Sequence, residues 1–114
     1  MLTINRSIAI IRPRQAFVDW ANTLPDFGEK FRVEDFKSDQ SAVLIPEYDT
    51  DNDARKHIDN KWRDLFEEEL FGWCTDTTLW PQKRTKKMFW QWFEIEFHSM
   101  LIDPYDLPIE KEDL

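Results

Sequence analysis

The sequence predicts an α+β fold: a small sheet of about three strands with helices packed on one face, in the order β-α-β-α-α-β. Three observations carry this. Residues 7–11 and 42–45 are short, β-branched apolar runs of the kind that form buried strands. Between 54 and 70 the apolar residues return every three or four positions, the period of a helix with one buried face. After Trp92 the period falls to two, which belongs to a half-buried strand.

Residues 7–11 read Ser-Ile-Ala-Ile-Ile and are ended by Arg12-Pro13. Pro13 fits the first turn of a helix, where its missing N–H costs nothing. Phe17, Trp20, Ala21 and Leu24 then recur at helical spacing, and Pro25, Asp26 and Gly28 stop that helix. Val33 to Phe36 fits a single helical turn. The second strand, 42–45, is closed by Pro46. If the two strands paired in parallel, the step between them would be a right-handed crossover. An acidic loop, 47–53, delivers the chain to a long helix with Asp51, Asn52 or Asp53 as N-cap.

Ala54, Ile58, Trp62, Leu65, Phe66 and Leu70 form the stripe of that helix, and Gly72 is its natural stop. Residues 73–82 read as an irregular connector broken at Pro81. Over 85–93, Met88, Phe89, Trp92 and Phe93 share a helical face. Ile95 and Phe97 then alternate with Glu94, Glu96 and His98, giving a strand to about 102; a single helix through 101 is the competing reading. Asp103-Pro104 ends either version, and 105–114 is expected to fray. The 114 residues form a single domain in this reading.

The formal net charge of -8 disfavours nucleic acid and anionic membrane surfaces as partners, and suits solubility or a basic protein partner. Cys74 is the only cysteine, which excludes an intrachain disulfide and fits a reducing compartment. No basic n-region with a long apolar run opens the sequence, and no stretch reaches 18 apolar residues. A cytoplasmic location is the expectation. With two glycines there is no glycine-rich phosphate loop, and neither Cys-x-x-Cys nor Gly-x-Ser-x-Gly occurs. The sequence therefore nominates no catalytic residue and no cofactor, and an enzyme is the less favoured reading.

Three runs carry a resemblance. Residues 5–13 (Asn-Arg-Ser-Ile-Ala-Ile-Ile-Arg-Pro), 44–49 (Leu-Ile-Pro-Glu-Tyr-Asp) and 93–100 (Phe-Glu-Ile-Glu-Phe-His-Ser-Met) resemble a family of small bacterial proteins of unknown function. The resemblance implies a bacterial, cytoplasmic, single-domain protein and supplies no site.

The candidate sites divide into one leading reading and several weaker ones. Phe71, Trp73, Trp80, Phe89, Trp90, Trp92, Phe93 and Phe97 crowd into one stretch. Large aromatics fill cores and anchor interfaces. Trp90 and Trp92 are about 200° apart on a helix, so both cannot face one core. The leading expectation is a protein-interaction or regulatory module with an aromatic surface and acidic rim, anchored by Trp73, Trp80, Trp90 and Trp92, and binding another protein or itself as a homodimer. The alternative is a metal or small-molecule site at Glu94, Glu96 and His98, which share one face of a strand. Residues 49–53 open like a calcium loop, but Ala54 and Asn60 occupy the positions that need Gly and Glu; helix capping explains them better. Lys83, Arg84, Lys86 and Lys87 form a basic run fit for an anion or an acidic segment, or for pairing with the acids at 67–69. A nucleophilic Cys74 would need His57 or His98 beside it.

Overall fold

A computed structural model of the protein describes residues 2–25, 30–37 and 40–113. The chain opens with a two-residue strand, β1 (Leu2–Thr3), and continues into β2 (Ser7–Pro13), α1 (Gln15–Ala21) and a 3-10 turn at Val33–Phe36. Next come β3 (Ser41–Ile45), α2 (Asp51–Asp59), α3 (Trp62–Phe71) and a second 3-10 turn at Thr77–Leu79. The last elements are α4 (Lys86–Trp92), β4 (Phe93–His98) and β5 (Ile102–Asp103). The fold is α+β, as expected. Its main sheet has the order β3-β2-β4, and β1 pairs with β5 in a separate ribbon.

Both pairings of β2 are antiparallel, so no parallel crossover arises between the first two strands. Strand alternation sets the two faces. Ser7, Ala9 and Ile11 point inward and are buried, while Ile8, Ile10 and Arg12 lie on the open face. Ala9 is paired with Val43 on one side and Phe97 on the other, so the inward face runs across all three strands. The helices cover that face.

The core is aromatic. Phe17, Phe66, Phe89 and Phe93 are completely buried. Phe93 is the hub: its ring lies 5.2 Å from Phe17, 5.4 Å from Phe66 and 5.1 Å from Phe89. Burying one such side chain contributes about 1.5–3 kcal/mol. Phe93 can serve three elements because α4 runs into β4 without a loop, with Phe93 already in extended conformation (φ -133°, ψ 143°). The Arg14 N–H, at the start of α1, donates to the Trp92 carbonyl at 2.8 Å and ties the same corner.

Local differences from the sequence reading have local causes. Pro13 is the last residue of β2, and α1 starts at Gln15. Thr50 rather than an acid caps α2: its hydroxyl accepts from Asp53 N–H at 3.1 Å, and Asp51 and Asp53 occupy the first turn. The predicted long helix is broken between Asp59 and Trp62, where Lys61 leaves helical geometry (φ -128°, ψ 10°). Steps of four advance the stripe by about 40° each, so from 54 to 70 it turns by about 160°. A continuous helix could not bury Ala54 and Leu70 against one sheet; the break at the weak helix formers Asp59-Asn60 resets the rotation.

The 94–98 alternation is a strand, which settles the helix-or-strand question, but it ends at His98. Beyond it, Ile4 N–H donates to the Leu101 carbonyl at 2.9 Å as the chain passes to the ribbon. Asp26, Gly28 and Leu114 lie outside the described residues. Among the described residues no helix is long and apolar enough to cross a membrane.

Candidate interaction surface

The four tryptophans nominated as anchors do not form one surface. Trp80 is 9 % exposed and belongs to the core. Its indole N–H donates to the Cys74 carbonyl at 2.8 Å, and the Trp20 indole donates to the Leu79 carbonyl at 3.0 Å. The connector 73–82 has little helix of its own, so its inward carbonyls need donors. Two tryptophans supply them, which is why Trp80 is inside.

Trp90 and Trp92 diverge as positions two apart on a helix must. The Trp90 indole donates to Asp59 Oδ1 at 2.8 Å, with the Arg55 guanidinium 3.9 Å above its ring. Trp92 turns the other way, its ring 5.4 Å from Phe66 and 6.1 Å from Phe17. Both are half-buried and engaged inside the molecule. Trp73 packs on Phe36 at 4.7 Å and Phe31 at 5.0 Å, and keeps part of its surface at the edge of a groove.

That groove encloses about 480 Å³ beyond the end of α3. Phe71 and Leu79, 55 % and 42 % exposed, stand on its sides, with Leu24, Trp73, Cys74 and Asp76 among the other lining residues. Local geometry explains both. Phe66 and Leu70 point α3 into the core, so Phe71, about 100° further round, faces out. After Gly72, the Trp73 and Cys74 N–H groups both donate to the Leu70 carbonyl, folding the chain back. Asp76 then accepts from the Thr78 N–H at 3.0 Å and the Thr78 hydroxyl at 2.6 Å, forming the turn that presents Leu79. Those two bonds hold its carboxyl below the usual carboxylate range.

The basic run lies beside this turn. The Gln82 side-chain amide donates to the Thr77 and Trp80 carbonyls at 3.1 and 2.6 Å, which lays the segment leading to Lys83 against it. Arg84 is consumed internally: one nitrogen donates to the Pro81 carbonyl at 2.8 Å, another to Glu67 at 2.9 Å, and the group sits over Trp80. This realises the expected pairing with the acids of α3. Lys83, Lys86 and Lys87 are exposed and take part in no ion pair among the described residues.

Glu94, Glu96 and His98 share the open face of the sheet, as the alternation required. Yet Glu96 spends its oxygens on Arg12, at 3.0 and 3.1 Å, and on His98 Nε2, at 2.8 Å. The His98 contact and the Arg12 guanidinium hold the Glu96 carboxyl below its usual range. Arg12 thus supplies the positive charge that a metal would bring. Among the described residues no three His, Cys, Asp or Glu side chains are grouped to hold an ion. The acids at 49–53 serve the start of α2. The Cys74 thiol bonds the Asp76 carbonyl at 3.5 Å, while His98 is engaged with Glu96.

Sequence reasoning placed Phe71 in the aromatic crowd but not among the anchors, and did not single out Leu79. Phe71 carried a signal, since it falls off the apolar stripe of its own helix. Leu79 carried none, because the connector has no period from which to read a face. A smaller cavity of about 310 Å³ on the other side of Trp73 holds Glu69, whose carboxyl burial pushes above its usual range. Compared with protein-family models, curated proteins and solved structures, the chain matches none.

Proposed function

We propose that this is a small cytoplasmic protein-interaction module whose working surface is the Phe71–Leu79 groove. Its ligand is an extended protein segment that inserts large apolar side chains between those two residues. The observation that supports the reading is the pair of exposed side chains on a concave surface that also has Trp73 in its lining. A single exposed leucine is ordinary on a soluble protein. Two large apolar groups beside a groove, next to a partly covered indole, match the anatomy of peptide-binding clefts. Asp76 is the charged residue of the lining, and the lysines follow Gln82, whose side chain is bonded to the turn that presents Leu79. That arrangement favours a polarised ligand, and the net charge of -8 keeps nucleic acid an unfavourable one.

Panning a displayed-peptide library against the protein tests the reading, with Phe71→Asp and Leu79→Asp as counter-screens. Expected binders carry aliphatic or aromatic residues and lose at least about tenfold in affinity with either variant. Both variants should stay cooperatively folded, because neither side chain is in the core; Phe71→Asp gives up about a few degrees in melting temperature, since an acid at the last residue of α3 opposes the helix dipole. Binders indifferent to both substitutions, or no binders at all, would overturn the proposal.

A further inference from the structure

We infer that the natural occupant of the groove is residues 105–109 of a second copy of this chain, with the acidic residues after them lying on Lys83, Lys86 and Lys87, in a two-fold dimer. The inference rests on the groove being a binding surface, and it names the partner.

The segment has the chemistry of a ligand. Tyr105, Leu107 and Ile109 are 73 %, 70 % and 63 % exposed, the largest run of exposed apolar side chains among the described residues. The chain bends at Tyr105, and beyond it Leu107 and Ile109 flank Pro108. Pro104 and Pro108 keep that backbone extended and remove two donors. No regular element includes 105–113. The Tyr105 N–H donates to Asp103 Oδ1 at 2.9 Å, which fixes where the segment leaves β5.

The segment carries the two chemistries that answer this part of the surface. Tyr105, Leu107 and Ile109 come first, and Glu110, Glu112 and Asp113 follow, interrupted only by Lys111. On the surface, Phe71 and Leu79 border the groove, and beyond Gln82 stand the three lysines without ion pairs. Apolar matches apolar, and acid then matches base. The complementarity is local, so it acts within a Debye length of about 8 Å despite the acidity of each copy.

Topology explains why the occupant comes from another copy. The segment leaves from the ribbon beyond His98, and His98 pairs with Ile8 near the start of β2. Trp73 and Gly72 border the groove and also line the smaller cavity with Pro13 and Ser41, at the far end of β2. Seven strand residues place these ends about 20 Å apart, and at about 3.4 Å per residue from Asp103 a copy's own Tyr105 and Leu107 fall short of that span. Two copies related by an antiparallel two-fold bring each segment to the other's groove, and the symmetry makes both contacts at once.

Sedimentation velocity on the full chain at low salt decides the matter. A concentration-dependent dimer is expected. Leu107→Asp with Ile109→Asp, and separately Phe71→Asp, should each weaken it at least about tenfold while the circular dichroism of the folded chain is kept. Mixing these two variants should restore a dimer containing one of each, since one segment and one groove remain intact. Lys83→Glu with Lys86→Glu and Lys87→Glu should weaken the wild-type dimer and reduce its salt dependence. A chain that stays monomeric to about 100 μM overturns the inference. So does a dimer indifferent to Leu107→Asp with Ile109→Asp, or a mixture that fails to pair. If displayed peptides still require Phe71 while the chain is monomeric, the groove stands and only its assigned occupant falls.

Discussion

Trp80 and Phe71 sit nine residues apart and exchange the roles that their residue types suggest. The indole is inside, satisfying the Cys74 carbonyl, and the phenyl ring is outside. Trp80→Phe keeps most of the apolar volume but strands that carbonyl, at an expected cost of about 1–3 kcal/mol. Trp80→Ala adds the cavity and should cost about 3–5 kcal/mol. Phe71→Asp should cost no more than about 1 kcal/mol, most of it from an acid opposing the dipole at the end of α3. Urea titration of the three variants separates core from surface, and a large loss at Phe71 would contradict its placement. Composition made the aromatic crowding legible. It could not assign inside and outside, because a connector held by indole donors has no period.

Glu69 gives a second residue-scale prediction, with an unusual sign. Burial raises its carboxyl above the reference value of 4.5 in the folded state, aided by the neighbouring Glu68 charge. The folded protein therefore binds this proton more readily than the unfolded chain. Stability falls as pH rises through the raised value and is regained as pH drops toward 4.5. Glu69→Gln should raise the melting temperature at neutral pH, and the gain should shrink to nothing in mild acid. Glu96 works in the opposite sense, its carboxyl being lowered, so the parent's own acid profile mixes the two. The difference between parent and variant isolates Glu69; a gain constant across pH would contradict its burial as the cause.

At the scale of elements, the hydroxyls of Thr50 and Thr85 cap α2 and α4, accepting from the N–H groups of Asp53 and Met88, each at 3.1 Å. Thr50→Ala and Thr85→Ala should each cost about 1 kcal/mol by chemical denaturation, and Thr→Ser should recover most of it. α4 is the more revealing, because Phe93 follows it directly into β4 and any fraying there loosens the core hub. The three strands of the main sheet were legible because short β-branched runs and period two are local signals, whereas neither threonine cap was read from the sequence. The break between α2 and α3 was not. It depends on the accumulated rotation of a stripe against one flat sheet, and that relation exists only in the packed molecule. The ribbon of β1 with β5 was hidden for a related reason, since two-residue strands are made by a partner about a hundred residues away.

At the scale of the whole molecule, charge governs two processes in opposite directions. Twenty-three acids face fifteen Lys and Arg, and among the described residues the Lys and Arg ion pairs are Arg12–Glu96 and Arg84–Glu67, with His98 in hydrogen-bond contact with Glu96. Most of the negative charge is therefore unpaired, and its self-repulsion opposes folding. Added salt screens it, and the exposed pairs that salt would weaken are worth little. The melting temperature of the dilute monomer should thus rise by on the order of a few degrees between low and high sodium chloride. The contact between segment and lysines depends on attraction, so the same salt should weaken association. Calorimetry on dilute protein and sedimentation on concentrated protein, over one salt series, measure the two separately. Opposite slopes require that net repulsion within a copy and local attraction between copies coexist. Parallel slopes would mean that the lysines do not meet the acidic segment, and a melting temperature that falls with salt would mean that the Arg12–Glu96 and Arg84–Glu67 pairs outweigh the net charge.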